Sequence, residues 1–199
     1  MAEIKDPENT ILMETTKGKV VIALFPDLAP GHVARIKELS REGAYDGVVF
    51  HRVIDGFMAQ TGDVQFGKKG GDTSMAGMGG SELPDLPAEF SNRSFARGMV
   101  GMARSASPNS ANSQFFIMFA DAPHLDGQYT IVGHVIEGME IVDTLKKGDP
   151  RANGSVSDPD YIVSATVGFG GSNNRRSVLE FARRGANSAP RPWRDFASL

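Results

Sequence analysis

The sequence predicts a mainly β fold, a closed antiparallel barrel whose ends are covered by two helices. Three observations support this prediction. Many short segments are strand-like, two stretches have the spacing of a helix, and the connections between these elements are long. With 199 residues, of which 40% are hydrophobic, the chain fits one large domain with some additional chain.

The amino-terminal elements are a hairpin and a helix. Residues 11–25 alternate around Lys17-Gly18, which predicts two paired strands. A helix is expected next, because Pro30 suits a first helical turn and Gly43 suits a helix end. Apolar residues recur at intervals of three between them, so this helix has one apolar face.

The rest of the chain contains further strands, one long loop and a second helix. Residues 63–90 are rich in Gly, Pro and Ser, and we expect one irregular loop there, which at this length is usually functional. Residues 139–148 fit a short helix that ends at Gly148. The strand-like segments are 48–54, 57–63, 98–103, 113–119, 130–138 and 160–169.

The charge of the chain is unevenly distributed. Residues 172–199 contain six Arg, no Lys and two acidic residues, a net charge of +4, whereas residues 1–171 contain 15 basic and 22 acidic residues, a net charge of −7. We interpret 1–171 as the folded domain, whose acidity argues against nucleic-acid binding. The basic tail, 172–199, is expected to be flexible or only loosely docked on the acidic domain or an acidic partner.

The sequence lacks the residues or spacings that several kinds of catalytic and metal sites require. The chain has no cysteine, which excludes disulfides, thiol catalysis and cysteine-ligated zinc. Its four histidines do not have the spacing of metal ligands, and no G-x-S-x-G nucleophile motif is present. We therefore expect neither a metal nor a cofactor.

The sequence also carries no sign of a membrane or secretory destination. The first residues, MAEIKDPENT, have neither a basic nor an apolar leader region. No apolar run approaches the ~20 residues that span a bilayer. We expect a cytoplasmic protein that is monomeric and does not contact a membrane.

Three stretches resemble one protein family, the cyclophilins, which are peptidyl-prolyl cis/trans isomerases. They are VVFHRVIDGFMAQTGD (48–63), FARGMVGMARSASPNSANSQFFI (95–117) and HLDGQYTIVGHVIEGMEIVD (124–143). The resemblance extends from about Ile11 to Phe169 and is greatest to bacterial cytoplasmic members. It implies a cyclophilin-like fold, an eight-stranded antiparallel barrel capped by two helices.

The resemblance also places an active site on this chain. Arg52 and Gln60 take the catalytic positions. The substrate-binding positions fall on Phe57, Met58, Met102, Ala103, Arg104, Gln114, Phe116, His124, Leu125 and Tyr129. The expected substrates are proline-containing polypeptides, whose folding such an enzyme assists.

Three of these positions depart from the family pattern. Many members carry Asn where this chain has Arg104, and well-studied members carry Trp at His124 and His at Tyr129. Tryptophan supplies an indole N–H donor and a large apolar area. Without it, cyclosporin is expected to bind only weakly, whereas isomerase activity is compatible with all three changes.

An arginine suits the isomerase reaction. Rotation about an X–Pro bond meets a barrier of ~18–20 kcal/mol, because resonance makes the C–N bond partly double. In the twisted transition state the nitrogen lone pair is localised and accepts a hydrogen bond. Arg52 offers several N–H donors and a permanent charge, and no proton transfer is needed. We therefore interpret His51, on the opposite face, as a buried, hydrogen-bonded structural residue.

The hairpin within 50–63 has two conceivable registers. A two-residue turn would pair Arg52 with Ala59, whereas a three-residue loop over 55–57 pairs Arg52 with Gln60. A slip of one residue exchanges the faces of a strand. Only the three-residue loop places both catalytic side chains together, and we predict that register.

A second functional class remains open at the sequence level. A cyclophilin-like barrel also suits a binding module, which recognises proline peptides with little turnover and uses Arg104, His124 and the tail for one particular partner. The joint presence of Arg52, Phe57 and Gln60 favours the enzyme.

Overall fold

The computed structural model describes residues 4–168, which form one eight-stranded antiparallel sheet and two α-helices. The strands are β1 (Thr10–Thr15), β2 (Gly18–Leu24), β3 (Arg52–Ile54), β4 (Met58–Thr61), β5 (Met99–Met102), β6 (Phe115–Met118), β7 (Ile131–Glu137) and β8 (Ile162–Val167). The helices are α1 (Pro30–Arg41) and α2 (Met139–Asp143), and short 3-10 turns span Pro7–Asn9, Pro123–Leu125 and Pro150–Ala152. The predicted mainly β fold with eight strands and two helices is confirmed. The basic tail lies outside the described residues.

The sheet curls towards a barrel without closing fully. Its strand order is β3-β4-β6-β5-β7-β2-β1-β8, and no ladder joins the edge strands β3 and β8 within the described range. Single contacts connect the edges instead, such as the N–H of Ile162 donating to the carbonyl of Val48 at 2.9 Å. The predicted closed barrel therefore overstates the closure. The segment before β3 bonds on two sides, since the N–H of Val49 donates to the carbonyl of Gly67 in the long loop and the N–H of Phe50 donates to the carbonyl of Asp160 beside β8.

The β3–β4 hairpin has the predicted register. Arg52 lies opposite Gln60, and Ile54 lies opposite Met58. The N–H of Phe57 donates to the carbonyl of Ile54 at 3.0 Å, which closes a three-residue loop. Gly56 has φ 71°, a left-handed conformation that glycine adopts without strain.

Helix α2 is shorter than its sequence pattern predicts. It ends at Asp143, and Gly148 lies in the following segment, where its N–H donates to the carbonyl of Val53. A Cβ atom at Gly148 would lie 1.8 Å from the carbonyl oxygen of Gly154. Gly148 is thus required by a close approach of two backbones beside β3, and does not serve as the helix stop.

The long loop 63–90 is irregular, as predicted, but it is firmly anchored. Asp63 is fully buried, and its carboxylate accepts four backbone hydrogen bonds at 2.8–3.0 Å, from the N–H groups of Gln65, Phe66, Gly77 and Gly79. At the other end, the Glu89 carboxylate accepts from the first free N–H groups of α1. These bonds satisfy polar groups that would otherwise be costly to bury.

Both faces of the sheet are buried around β4, β5 and β6. On β6, Phe115 and Ile117 belong to the main core, whereas Phe116 and Met118 belong to a second apolar cluster. This division follows from the alternation of side chains along a strand. We call the second cluster the pocket cluster; its buried members are Met58, Phe95, Ala103, Phe116, Met118, Ala122, Leu125, Tyr129 and Ile131.

Candidate active site

Arg52 is held from two sides at the start of β3. On one side its Nη1 donates to Gln60 Oε1 at 3.2 Å. On the other, its Nε donates to the Asn153 carbonyl at 3.0 Å, and its Nη2 donates to Asn153 Oδ1 at 2.9 Å. The guanidinium plane is therefore fixed by neutral acceptors, which leave its charge intact.

The orientation of the Gln60 amide is set by a chain of hydrogen bonds. Gln114 Nε2 donates to the carbonyls of Gly77 and Gly79 at 3.0 and 2.7 Å. Its Oε1 is thereby directed at Gln60, whose Nε2 donates to it at 3.0 Å. The Oε1 of Gln60 then faces Arg52. Both glutamines are only 2% exposed, so water does not compete with these bonds. We call Arg52, Gln60, Gln114 and Asn153 the polar network.

Asn153 is a member of this network that the sequence analysis missed. Its backbone is left-handed, with φ 54°, which Asn tolerates better than most residues. The carbonyl of the next residue, Gly154, accepts from the N–H of Val53, so this turn is attached directly to β3. The Asn-Gly dipeptide is a turn signal, but nothing local indicates that the turn contacts a residue 101 positions earlier.

The pocket cluster supplies an apolar wall beside the polar network. Phe116 lies opposite Gln60 across the β4–β6 pair, and its ring meets that of Tyr129 edge-on at 5.8 Å between centroids. Phe57, partly buried against this cluster, lies 5.8 Å from the ring of His124. Leu125 is buried in the same cluster. A proline ring needs such a surface, because it offers no donor of its own.

The structure brings the predicted site residues together with one exception, Met102. Its side chain packs in the main core with Val100, whereas Ala103 belongs to the pocket cluster. Alternation along β5 explains this difference, since neighbouring residues face opposite sides of the sheet. We therefore leave Met102 out of the candidate substrate-binding set.

Two titratable groups beside the network are shifted by burial. Burial lowers the pKa of Arg52, yet an arginine keeps its proton in proteins. Burial also lowers the pKa of His51 to about 4, so its ring is neutral near pH 7. The expected hydrogen bond of His51 is not found at Nδ1, which is buried without a partner among the described residues. With a pKa of about 4, the ring carries no extra proton to donate at pH 7 and is a weak base there.

The family model of the cyclophilin type peptidyl-prolyl cis-trans isomerases matches residues 10–167 of this chain. The chain belongs to this family. The resemblance in the three sequence stretches is thereby confirmed, and so is the expected isomerase activity. The match spans the whole described sheet, from β1 to β8.

Individual relatives agree with this assignment. A probable peptidyl-prolyl cis-trans isomerase of Brucella suis is 62% identical over 168 residues, which cover 83% of this chain and 86% of that protein. An isomerase of Arabidopsis thaliana is 40% identical over 138 residues, covering 69% of this chain and 82% of that one. The bacterial relatives are thus markedly more similar than this plant relative.

Solved structures show the same fold. A cyclophilin from Hirschia baltica superposes with a TM-score of 0.69 at 30% identity and covers 81% of this chain and 74% of its own. A cyclophilin-type isomerase of Cryptosporidium parvum was solved in the presence of the dipeptide Ala-Pro. It gives a TM-score of 0.68 at 26% identity, and the match covers 79% of this chain and 98% of that one. In the described part of this cyclophilin, no helix is long and apolar enough to cross a membrane.

Proposed function

We propose that this isomerase catalyses X–Pro rotation through Arg52, which donates a hydrogen bond to the prolyl nitrogen in the twisted transition state. The observation that carries this proposal is the attachment of Arg52 to Gln60 on one side and to Asn153 on the other. Three of its five N–H donors are used in these bonds. One N–H on each terminal nitrogen is left for a substrate.

Preorganisation is the physical reason that such a donor accelerates the reaction. The prolyl nitrogen accepts a hydrogen bond well only when rotation has localised its lone pair, so the bond stabilises the transition state more than either planar state. A donor that is already fixed costs no reorganisation when the charge develops. A thousandfold acceleration requires only ~4 kcal/mol of this stabilisation.

The pocket cluster is proposed to hold the proline ring while the preceding carbonyl swings. Phe57, Phe116 and Leu125 present the apolar surface, and the backbone at 103–104 holds the substrate chain beside it, while Gln60 positions Arg52. The presence of the dipeptide Ala-Pro with the Cryptosporidium relative supports a proline-containing ligand. We infer that the substrates are exposed X–Pro segments of other polypeptides, whose folding the enzyme assists.

The wider setting of the enzyme remains at the level of prediction. We propose a cytoplasmic location, for which the cysteine-free sequence is the support, and a monomeric state. Cyclosporin is expected to bind only weakly, because His124 offers less apolar area than the Trp of well-studied members. The structural role of residues 172–199 also remains a prediction.

A proline-isomerisation assay with wild type and Arg52→Ala tests the proposal. We expect the substitution to lower kcat/KM by about two to three orders of magnitude and to leave a residual catalysed rate above that in buffer. Arg41→Ala is the matched control, because Arg41 lies at the end of α1 and pairs with Glu8. A wild type no faster than buffer, or an Arg52→Ala variant that retains full activity, would overturn the proposal.

A further inference from the structure

Two positive charges at the pocket lack a negatively charged partner. Arg52 is bound by the amides of Gln60 and Asn153. Arg104 donates only to backbone carbonyls, chiefly that of Gln128 through Nε at 3.1 Å and through Nη2 at 2.7 Å. Within residues 4–168, neither arginine takes part in an ion pair.

Three other arginines of the described chain, Arg41, Arg97 and Arg151, pair with carboxylates, whereas Arg35 and Arg93 take part in no ion pair within residues 4–168. Arg41 pairs with Glu8, and Arg97 pairs with Asp143. These pairs are at the surface, where a mobile carboxylate readily finds a cation. The absence of such a carboxylate beside Arg52 and Arg104 therefore distinguishes the pocket from these surface sites.

Both charges lie beside aromatic residues of the pocket cluster. The Cζ atom of Arg104 lies 4.4 Å from the centroid of the Tyr129 ring, in the position of a cation–π contact. Burial raises the pKa of Tyr129, and the charges of Arg104 and Arg52 both oppose that shift. Tyr129 packs edge-on against Phe116, and Arg52 donates to Gln60, which lies opposite Phe116, so the two guanidinium groups border the same apolar cluster.

The Arg104 side chain is fixed rather than mobile. Besides its two bonds to Gln128, its Nη1 donates to the Ser105 carbonyl at 3.0 Å and to the Ala106 carbonyl at 3.4 Å. Most of its N–H groups are thus engaged by the protein. Arg104 therefore acts on a substrate mainly through the positive potential of its fixed guanidinium group, and less through hydrogen bonds.

We propose that Arg104, together with Arg52, selects substrates that carry an acidic side chain close to the proline. This inference rests on the proposed function, since it concerns the preference of the same pocket. The net charge of −7 on residues 1–171 does not cancel the effect, because charges more than ~8 Å away are screened at physiological ionic strength. The nearest charges at the pocket therefore decide the preference.

The test is a peptide series assayed with the full chain. The peptides share one X–Pro core and differ at a single flanking position, before or after it, which is Glu, Gln or Lys. We expect kcat/KM for the best-placed Glu peptide to exceed that of its Gln counterpart by about two- to fivefold, and the Lys peptide to be the poorest. Raising the salt concentration to 0.5 M should bring the ratio towards one.

Arg104→Gln is expected to lower the Glu-over-Gln ratio at low salt by at least about half, with Arg52 supplying the remainder. Arg104→Lys should keep most of it, because the charge is retained, and Arg41→Gln, remote from the pocket, should leave it unchanged. A wild type without charge preference, an undiminished ratio in Arg104→Gln, or loss of the ratio in Arg104→Lys would overturn the inference. Failure of the proposed function gives a different result, since no peptide would then be isomerised faster than in buffer.

Discussion

The polar network and the pocket cluster lie side by side but are built on opposite principles. In the pocket cluster, side chains from adjacent strands pack because alternation places apolar residues on one face. In the polar network, every member has a specific partner at 2.7–3.2 Å, and these partners come from the long loop, from β3 and from the turn at Asn153. An apolar wall tolerates small shifts, whereas a directed donor does not. The network should therefore control kcat, and the pocket cluster should control KM.

Gln60→Ala is expected to have the largest effect among changes outside Arg52. It removes one of the two supports of the guanidinium group and leaves the buried Gln114 oxygen without its donor. A misplacement of about 1 Å in a catalytic group costs on the order of a hundredfold. We expect kcat to fall by about that factor with KM changed by less than about threefold. Steady-state kinetics with two peptides checks this, and an effect confined to KM would contradict the separation of roles.

Phe57→Ala should show the reverse pattern. Phe57 is partly buried against the pocket cluster and donates no hydrogen bond from its side chain. Losing much of an aromatic surface is worth about 1.5–3 kcal/mol when that surface is fully buried, so we expect KM to rise by about tenfold. The value of kcat should change little, because proline loses the same contact in the ground state and in the transition state. A selective loss of kcat would mean that Phe57 belongs functionally to the network.

The pocket cluster could be predicted from the sequence more completely than the polar network. The faces of β4 and β6 follow from local alternation, and the register of the β3–β4 hairpin follows from a turn signal together with the need to place Arg52 beside Gln60. The second support of Arg52 comes from Asn153, which is distant in sequence and reaches β3 only through the folded chain. No periodicity or spacing encodes such a contact.

The structure also differs from the sequence-based expectation at two other residues, Gly148 and Met102. Gly148 resembles a helix stop, yet its lack of a side chain is required by the backbone of Gly154. Met102 lies within the family motif, but β-strand alternation turns its side chain into the main core. At Gly148 a local pattern is overridden by a contact between distant segments, whereas the placement of Met102 follows the local alternation of the strand rather than the family motif.

Asn153→Gly tests how much the side chain of Asn153 contributes to holding Arg52. Glycine adopts the left-handed backbone without strain and keeps the carbonyl that accepts from Arg52 Nε, while the Oδ1 acceptor of Nη2 is lost. We expect kcat to fall by about three- to tenfold, since one charge-assisted hydrogen bond is worth about 1.5–3 kcal/mol and part of the support remains. An unchanged kcat would show that Gln60 and the backbone carbonyl at position 153 suffice to position the arginine.

The smallest effect is expected from pH. Arg52 does not titrate and His51 has a pKa of about 4, so kcat/KM should be nearly flat between pH 6 and 8. A steep bell in that range would mean that a histidine takes part in the reaction.

Stability should depend on pH below that range. Since His51 has a lower pKa in the folded state than in the unfolded state, the unfolded chain binds more protons between pH 6.5 and 4, and acid favours unfolding. Burial also lowers the pKa of His32, and protonation of this residue at low pH therefore favours unfolding as well. We expect Tm to fall as the pH drops from 6.5 to 4, and to fall less in His51→Asn. An equal fall of Tm in His51→Asn would show that other groups cause the loss of stability in acid.

The most direct test of the polar network is a double-mutant cycle between Gln60 and Arg52. If Gln60 acts by positioning Arg52, its removal has little further effect once the arginine is gone. We predict that kcat/KM of the Gln60→Ala/Arg52→Ala double variant equals that of Arg52→Ala within about twofold, with circular dichroism confirming that all variants are folded. If the two losses multiply, Gln60 stabilises the transition state by itself, and the positioning role is contradicted.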